Sequence, residues 1–179
     1  IVDATCPKVK HIHNIVSEAT AEGRFVIIIG MRRHPEVEGI CGWCGEHMVF
    51  ETAAELETWL NQNPDFWDKP LSVVVQTTQT HGNFTECCNI LKKRCTNLKI
   101  SDTICTATSA RQQEAEKLAS ECDAMVVIGG KHSANSLHLA QICSEHCGWV
   151  QFIEKCDELD MDKVTDADTI GLTAGASTP

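Results

Sequence analysis

The residues that could do chemistry fall into three groups. His34 and Glu36 flank Pro35 in the stretch Gly30-Met-Arg-Arg-His-Pro-Glu-Val-Glu-Gly39. An imidazole beside a carboxylic acid has the parts of a proton-delivery system. Cys6 and Cys105 form the second group, because they occupy matched places in an internal repeat. Thiolates converging from equivalent loops suit a soft metal or an iron–sulfur cluster, although buried structural thiols read the same way. Ser133, Asn135 and Ser136 precede a helix, and Ser177 and Thr178 follow a strand. Hydroxyls, an amide and free N–H groups at a helix start can hold an anion, while ordinary capping uses the same residue types.

A further pair, Cys41-Gly-Trp-Cys44, is open to a redox reading or, with His47 and His34, to a zinc site. It does not sit between a strand and a helix near the start of a domain, and no second Cys-x-x-Cys completes a zinc knuckle. Structural thiols fit it better. Neither glycine loop matches a dinucleotide or P-loop pattern.

The elements that position these groups repeat. Phe25–Ile29 and Met125–Ile128 are apolar β-branched runs, each ending at a glycine, and read as buried parallel strands. Cys6 lies 24 residues before Gly30, and Cys105 lies 24 residues before Gly129. Each cysteine follows an aspartate by three residues, Asp3 and Asp102. Counted on from the cysteines, His34 matches Ser133 and Glu36 matches Asn135. Met48–Phe50 corresponds to Val150–Phe152, and Thr77 corresponds to Ser177. The spacing predicts two copies of one α/β unit with mostly parallel sheets, at residues 1–100 and 101–179. Pseudo-symmetry would bring both cysteines to one central metal site, and a closing helix is expected beyond the last strand.

Within this frame, helices are predicted from Pro7 to Gly23, Ala53 to Leu60, Asn83 to Cys95, Ser109 to Ser120 and Ser136 to Cys147. Strands are predicted at Leu71–Gln76, Lys99–Ser101, Val150–Ile153 and Thr169–Thr173 as well as at the two apolar runs. Gly30 to Gly39 and Asn61 to Pro70 are read as loops.

The bulk numbers narrow the class. A net charge of −10 argues against a nucleic-acid or anionic-membrane partner. No apolar run approaches membrane-spanning length. Eleven cysteines in an α/β pattern point to a reducing, cytoplasmic setting rather than a disulfide scaffold. The chain opens at Ile1 without Met and reads as a fragment.

Six stretches together resemble the 4-hydroxy-3-methylbut-2-enyl diphosphate reductase family (IspH/LytB). They are Asp3-Ala-Thr-Cys-Pro7, His34-Pro-Glu-Val-Glu-Gly39, Gln76-Thr-Thr78, Ile104-Cys-Thr-Ala-Thr108 with Arg111-Gln112, Ser133-Ala-Asn-Ser136 and Thr173-Ala-Gly-Ala-Ser177. They run through nearly the whole chain in the family's order. The resemblance implies three α/β units around a [4Fe-4S] cluster, each giving one cysteine. This chain would be the second and third units, with Cys6 and Cys105 as metal ligands and the third ligand outside it. The implied activity is two-electron reductive dehydroxylation of an allylic alcohol diphosphate, giving isopentenyl and dimethylallyl diphosphate. Electrons would come from a donor such as ferredoxin or flavodoxin. Glu36 would deliver protons with Thr77 as relay, and His34, Thr77, Thr108, Ser133, Asn135 and Ser177 would bind substrate. Arg33, Thr106 and Ala134 depart from the family's usual residues. The fragment alone is expected to be inactive. Two rival readings are a zinc-stabilised binding module on Cys41, Cys44 and His47, and a thiol oxidoreductase using Cys41 and Cys44.

Overall fold

A computed structural model of the chain describes all residues except 1, 4, 177 and 179. It divides into two compact units, Ile1–Cys105 and Thr106–Pro179. The division falls five residues beyond the boundary expected from the repeat. The reason is that residues 101–105 stay bound to the first sheet. The Val75 N–H donates to the Thr103 hydroxyl at 2.9 Å, and the Ser101 N–H donates to the Val73 carbonyl at 2.9 Å.

The first unit holds a four-stranded sheet in the order β2-β1-β3-β4, with every pair parallel. Its strands are β1 (Phe25–Ile29), β2 (His47–Phe50), β3 (Leu71–Val75) and β4 (Leu98–Ile100). Side chains alternate across a strand, so β1 feeds two cores. Val26 and Ile28 pack with Ile12, Val16 and Ala19 of α1 (Pro7–Ala21) and with Val37 and Ile40 of α2 (Pro35–Cys41). Ile27 and Ile29 pack with Leu56 and Leu60 of α3 (Ala53–Gln62) and with Phe84 and Leu91 of α4 (His81–Arg94). A strand buried on both faces is apolar along nearly its whole length, which is why β1 and β3 show no polar alternation; in β3 the buried Ser72 is the exception.

The second unit has a three-stranded parallel sheet, β6-β5-β7, from β5 (Ala124–Ile128), β6 (Val150–Ile153) and β7 (Ile170–Ala174). Met125 and Val127 pack with Ala115 and Ala119 of α5 (Thr106–Glu121) and Leu139 and Cys143 of α6 (Ala134–His146). The short helix α7 (Met161–Thr165) lies between β6 and β7.

The expected strands are present. Two helices differ from expectation, and the first is Pro35–Cys41, read as part of a loop. Proline at the first helical position needs no N–H donor, and His34 supplies the cap. Gly39 and Gly42 hid a helix of only 7 residues. α7 was likewise not foreseen.

In each unit the first strand has a neighbour on either side, so the loops after β1 and β3, and after β5 and β7, part at their carboxyl ends. Open parallel sheets bind ligands at that divergence. No helix among the described residues is long and apolar enough to cross a membrane.

Candidate functional site

In the first unit, the chain leaves β1 through Gly30 and turns into α2. His34 is the N-cap: its Nδ1 accepts from the Glu36 N–H at 3.2 Å. The cap places Glu36 in the first turn, pointing at the loop after β3. There the Glu36 carboxylate receives two hydrogen bonds from one residue. The Thr77 N–H donates to Oε1 at 2.7 Å, and the Thr77 hydroxyl donates to Oε2 at 2.7 Å. The Thr77 carbonyl in turn accepts from the Cys105 N–H at 2.9 Å. Acid, hydroxyl and candidate ligand thus form one continuous chain of bonds, although they are far apart in sequence.

Gln76 locks the two loops together. Its Oε1 accepts from the Met31 N–H at 2.9 Å and its Nε2 donates to the Thr78 hydroxyl at 2.9 Å. Gly30 makes room for it, since a Cβ there would lie 2.8 Å from the Gln76 Cβ. Gln76 was quoted above only as part of a motif. Its sole signal was its place beside Thr77, and its partner 45 residues away could not be read from spacing.

The two candidate ligand cysteines stand in the same local frame. The Asp3 carboxylate accepts from the Thr5 N–H at 3.0 Å, and the Asp102 carboxylate accepts from the Ile104 N–H at 3.1 Å. Each turn delivers the cysteine three residues after its aspartate to a helix start: Cys6 is the N-cap of α1 and Cys105 directly precedes α5. Helix N-termini favour thiolates. Cys6 is exposed, Cys105 is half-buried, and neither is in a disulfide. Among the described residues no three His, Cys, Asp or Glu side chains are grouped closely enough to hold a metal ion.

In the second unit, Ser133 caps α6, its hydroxyl accepting from the Ser136 N–H at 3.4 Å. Asn135 is 5% exposed, yet among the described residues neither its Oδ1 nor its Nδ2 has a partner. The Ser136 hydroxyl is also buried and has no partner among the described residues. It wedges between the two loops: a Cβ on Gly129 or on Gly175 would fall 2.2 Å from it. The Thr178 hydroxyl donates to the Ile128 carbonyl at 3.2 Å, closing the loop after β7. Ser177 lies outside the described residues. Thr108 is buried on α5. A cavity of about 510 Å³ runs along α5 and β7, with Arg111, Lys117, Leu172, Gly175 and Thr178 in its wall.

Cys41 and Cys44 have the opposite character from a reactive pair. Burial pushes both thiols up, Cys44 to about 12. The Cys44 thiol donates to the Ile40 carbonyl at 3.3 Å. His47 contacts the Gly45 carbonyl at 2.9 Å, and His34 is committed to capping α2. A redox or zinc role needs accessible thiolates, so this pair gains no support.

The whole chain, residues 1–179, matches the family model described as "LytB protein". It is 39% identical over 179 residues to the 4-hydroxy-3-methylbut-2-enyl diphosphate reductase of Caldanaerobacter subterraneus subsp. tengcongensis, covering 100% of this chain and 60% of that protein. It is 41% identical over 180 residues to the Clostridioides difficile protein of the same name, covering 100% of this chain and 63% of that protein. Among solved structures, the E-1-hydroxy-2-methyl-but-2-enyl-4-diphosphate reductase of Plasmodium falciparum matches with a TM-score of 0.89 at 28% identity, over 99% of this chain and 56% of that one. The chain spans 60% and 63% of the length of the two curated relatives. With its full length matched by the family model, the chain belongs to the LytB protein family.

Proposed function

We propose that this chain is the larger part of an oxidoreductase that removes the hydroxyl of 4-hydroxy-3-methylbut-2-enyl diphosphate. The balance is two electrons and two protons per substrate, with the C–O bond replaced by C–H and the hydroxyl leaving as water. The products are isopentenyl and dimethylallyl diphosphate. The observation that carries the reading is the Glu36 carboxylate held by both the N–H and the hydroxyl of Thr77, each at 2.7 Å.

Hydroxide is a poor leaving group and water a good one, so the reaction needs an acid at the departing oxygen. Glu36 is that acid, because its carboxyl is the one held against the Thr77 hydroxyl, at 2.7 Å. Thr77 relays or orients, since a hydroxyl both donates and accepts. His34, Ser133, Asn135, Ser177, Thr77 and Thr108 are the substrate-binding residues of this reading. The orphaned amide of Asn135 supports it: a buried amide with no internal partner suits a polar ligand.

The two cysteines fit an iron–sulfur group by donor type and placement. Each stands at a helix start behind an aspartate turn, outside any disulfide. In this reading Cys6 and Cys105 would hold a [4Fe-4S] cluster together with a third cysteine from outside residues 1–179. When bound, the cluster supplies the electrons and a Lewis-acidic site for the substrate hydroxyl. The electron donor is a small redox protein such as ferredoxin or flavodoxin, and the setting is the cytoplasm. The units are the second and third of the family's three.

The test is single-turnover reduction by the full-length protein with an artificial electron donor, assembled without oxygen. Cys6→Ser and Cys105→Ser each abolish the cluster's visible absorption, and the double variant of Cys41 and Cys44 to Ser retains it. Loss of iron from the Cys41/Cys44 variant alone would overturn the ligand assignment. The 179-residue chain by itself should show little or no turnover.

A further inference from the structure

Gln76 is fully buried, and its amide engages two loops at once. Oε1 accepts from the Met31 N–H at 2.9 Å, and Nε2 donates to the Thr78 hydroxyl at 2.9 Å. A buried amide is costly unless it is paired, so its presence needs a reason. The second unit supplies the internal control. By its backbone bonds, the counterpart of Gln76 is Gly175. The Gln76 N–H donates to the Ile29 carbonyl at 2.8 Å, and the Gly175 N–H donates to the Ile128 carbonyl at 2.8 Å. Those carbonyls end β1 and β5. The Gln76 carbonyl accepts from the Gln79 N–H at 3.0 Å, and the Gly175 carbonyl accepts from the Thr178 N–H at 3.1 Å. The same turn is therefore built with no side chain. Ser136 takes the space instead, since a Cβ on Gly175 would lie 2.2 Å from its hydroxyl. Forming the turn does not explain a glutamine at position 76.

Its neighbours do explain it. The next residue is Thr77, whose N–H and hydroxyl both bind the Glu36 carboxylate at 2.7 Å. After Gly175 comes Ala176, one place before the Ser177 that spacing matches to Thr77, and it has no hydroxyl. The bridging amide thus occurs in the unit whose next residue grips an acid and is missing from the other. Its two bonds fall on either side of that grip. Met31 lies five residues before Glu36, in the loop that leads into α2, and Thr78 adjoins Thr77. One planar amide of fixed reach therefore sets the gap between the two loops. Gly30 backs it closely: a Cβ there would lie 2.8 Å from the Gln76 Cβ and 2.9 Å from its Oε1.

We propose that Gln76 is a positioning residue for the Glu36–Thr77 pair: its amide fixes the loop after β1 against the loop after β3 and so holds carboxyl and hydroxyl at bonding distance. The inference rests on the reading of Glu36 as proton donor. Gln76 neither gives nor takes the transferred proton. It acts through the two segments it joins, and proton transfer is steep in distance: a displacement of about 1 Å can cost about a hundredfold in rate. Without the amide, the Met31 N–H and the Thr78 hydroxyl lose their shared partner and nothing else named here ties Met31 to the loop after β3.

The experiment pairs Gln76→Met, close in length but without the polar atoms, with Gly30→Ala, which presses on the amide from behind and leaves it in place. In the isotope-labelled 179-residue chain, NMR follows the Thr77 amide proton, which its short bond to a carboxylate draws downfield. Both variants should move it upfield, while the Gly175 amide in the twin turn stays in place. In the full-length protein, Gln76→Met should lower kcat about tenfold to a hundredfold with KM unchanged, and Gly30→Ala should lower it less. General loosening of the fold would move the Gly175 amide and KM as well. If Gln76→Met does not fold, Gly30→Ala decides alone. A Thr77 amide unmoved in the folded variants would overturn the proposal, as would wild-type kcat or a loss confined to KM. Full activity of Glu36→Gln would overturn the acid assignment beneath it, and the amide shift, which needs no turnover, tells the two failures apart.

Discussion

Glu36 and Asn135 occupy the same place in the two units, and the folded chain treats them oppositely. Each is the second residue of a short-loop helix that follows the first strand, and each stands behind a capping residue, His34 or Ser133. Glu36 has its carboxylate fully engaged by Thr77. Asn135 is 5% exposed with both ends of its amide unpaired among the described residues. Duplicated geometry has been given one residue that is satisfied from within and one that is not. A group satisfied internally is held ready for chemistry at a fixed place. A buried group left unsatisfied is costly in the empty protein and becomes useful only when something else binds.

If the satisfied member is the working acid, the largest effect should come from it. Glu36→Gln keeps size and hydrogen bonding but removes the transferable proton. Turnover of the full-length protein should fall by about 10²–10⁴, the usual worth of general acid catalysis. Glu38→Gln, on the same helix, should cost far less. The reverse pattern would break the comparison. Thr77→Val sharpens it, because the N–H bond to Oε1 survives and only the hydroxyl bond is lost. A hydrogen bond to a charged group is worth about 1.5–3 kcal/mol, so a fall of roughly ten- to a hundredfold is expected in the same single-turnover assay.

The glycines behind the two helices differ in the same sense. At Gly30 a Cβ would meet Gln76 at 2.8 Å and Val37 at 2.9 Å, whereas at Gly129 it would lie 2.2 Å from the Ser136 hydroxyl and 2.7 Å from the Ser136 Cβ. Gly129→Ala should therefore destabilise by about 1–3 kcal/mol, with Gly30→Ala nearer the low end of that range. Urea unfolding measures both. Adding Ser136→Ala should not rescue Gly129→Ala, because the Ser136 Cβ itself is too close. Adding Ser136→Gly should. Equal losses at the two glycines would mean that the first turn of α6, which carries Ser136, yields more easily than the close contact suggests.

Much of this arrangement was legible beforehand, for reasons that can be named. β1 and β5 announce themselves because a strand buried on both faces must be continuously apolar. The repeat is readable because each cysteine must follow an aspartate turn and precede a helix, which holds its distance to the next glycine constant. Helix α2 was not readable. Its cap is a histidine, which is not among the usual N-cap residues, and two glycines fall in or beside its 7 residues. Spacing placed Glu36 beside His34 but could not show that its partner is Thr77, 41 residues on. Nor could it show that Asn135 is buried and unpaired. Burial and satisfaction belong to the packed chain, and identical spacings in the two units lead to opposite outcomes.

The smallest effect is also the one that separates the two positions most cleanly. Leucine is close to asparagine in shape and carries no polar atoms. At position 135 the change removes an amide whose Oδ1 and Nδ2 have no partners among the described residues. An unsatisfied buried polar group costs about 1–3 kcal/mol, so Asn135→Leu should leave stability unchanged or raise it by up to about that amount. At position 36 the same kind of change, Glu36→Leu, strips two partners from Thr77 and should lower stability by about 1–3 kcal/mol. The sign should thus reverse between equivalent positions of the two units. Urea titration of the two variants measures it, with the slope compared to wild type to confirm that the unfolding reaction is the same. Calorimetric titration with inorganic pyrophosphate completes the test, since Asn135→Leu should weaken binding while gaining stability. Loss of stability in Asn135→Leu as large as that in Glu36→Leu would mean that the amide is satisfied in solution, and the contrast between the two units would fall with it.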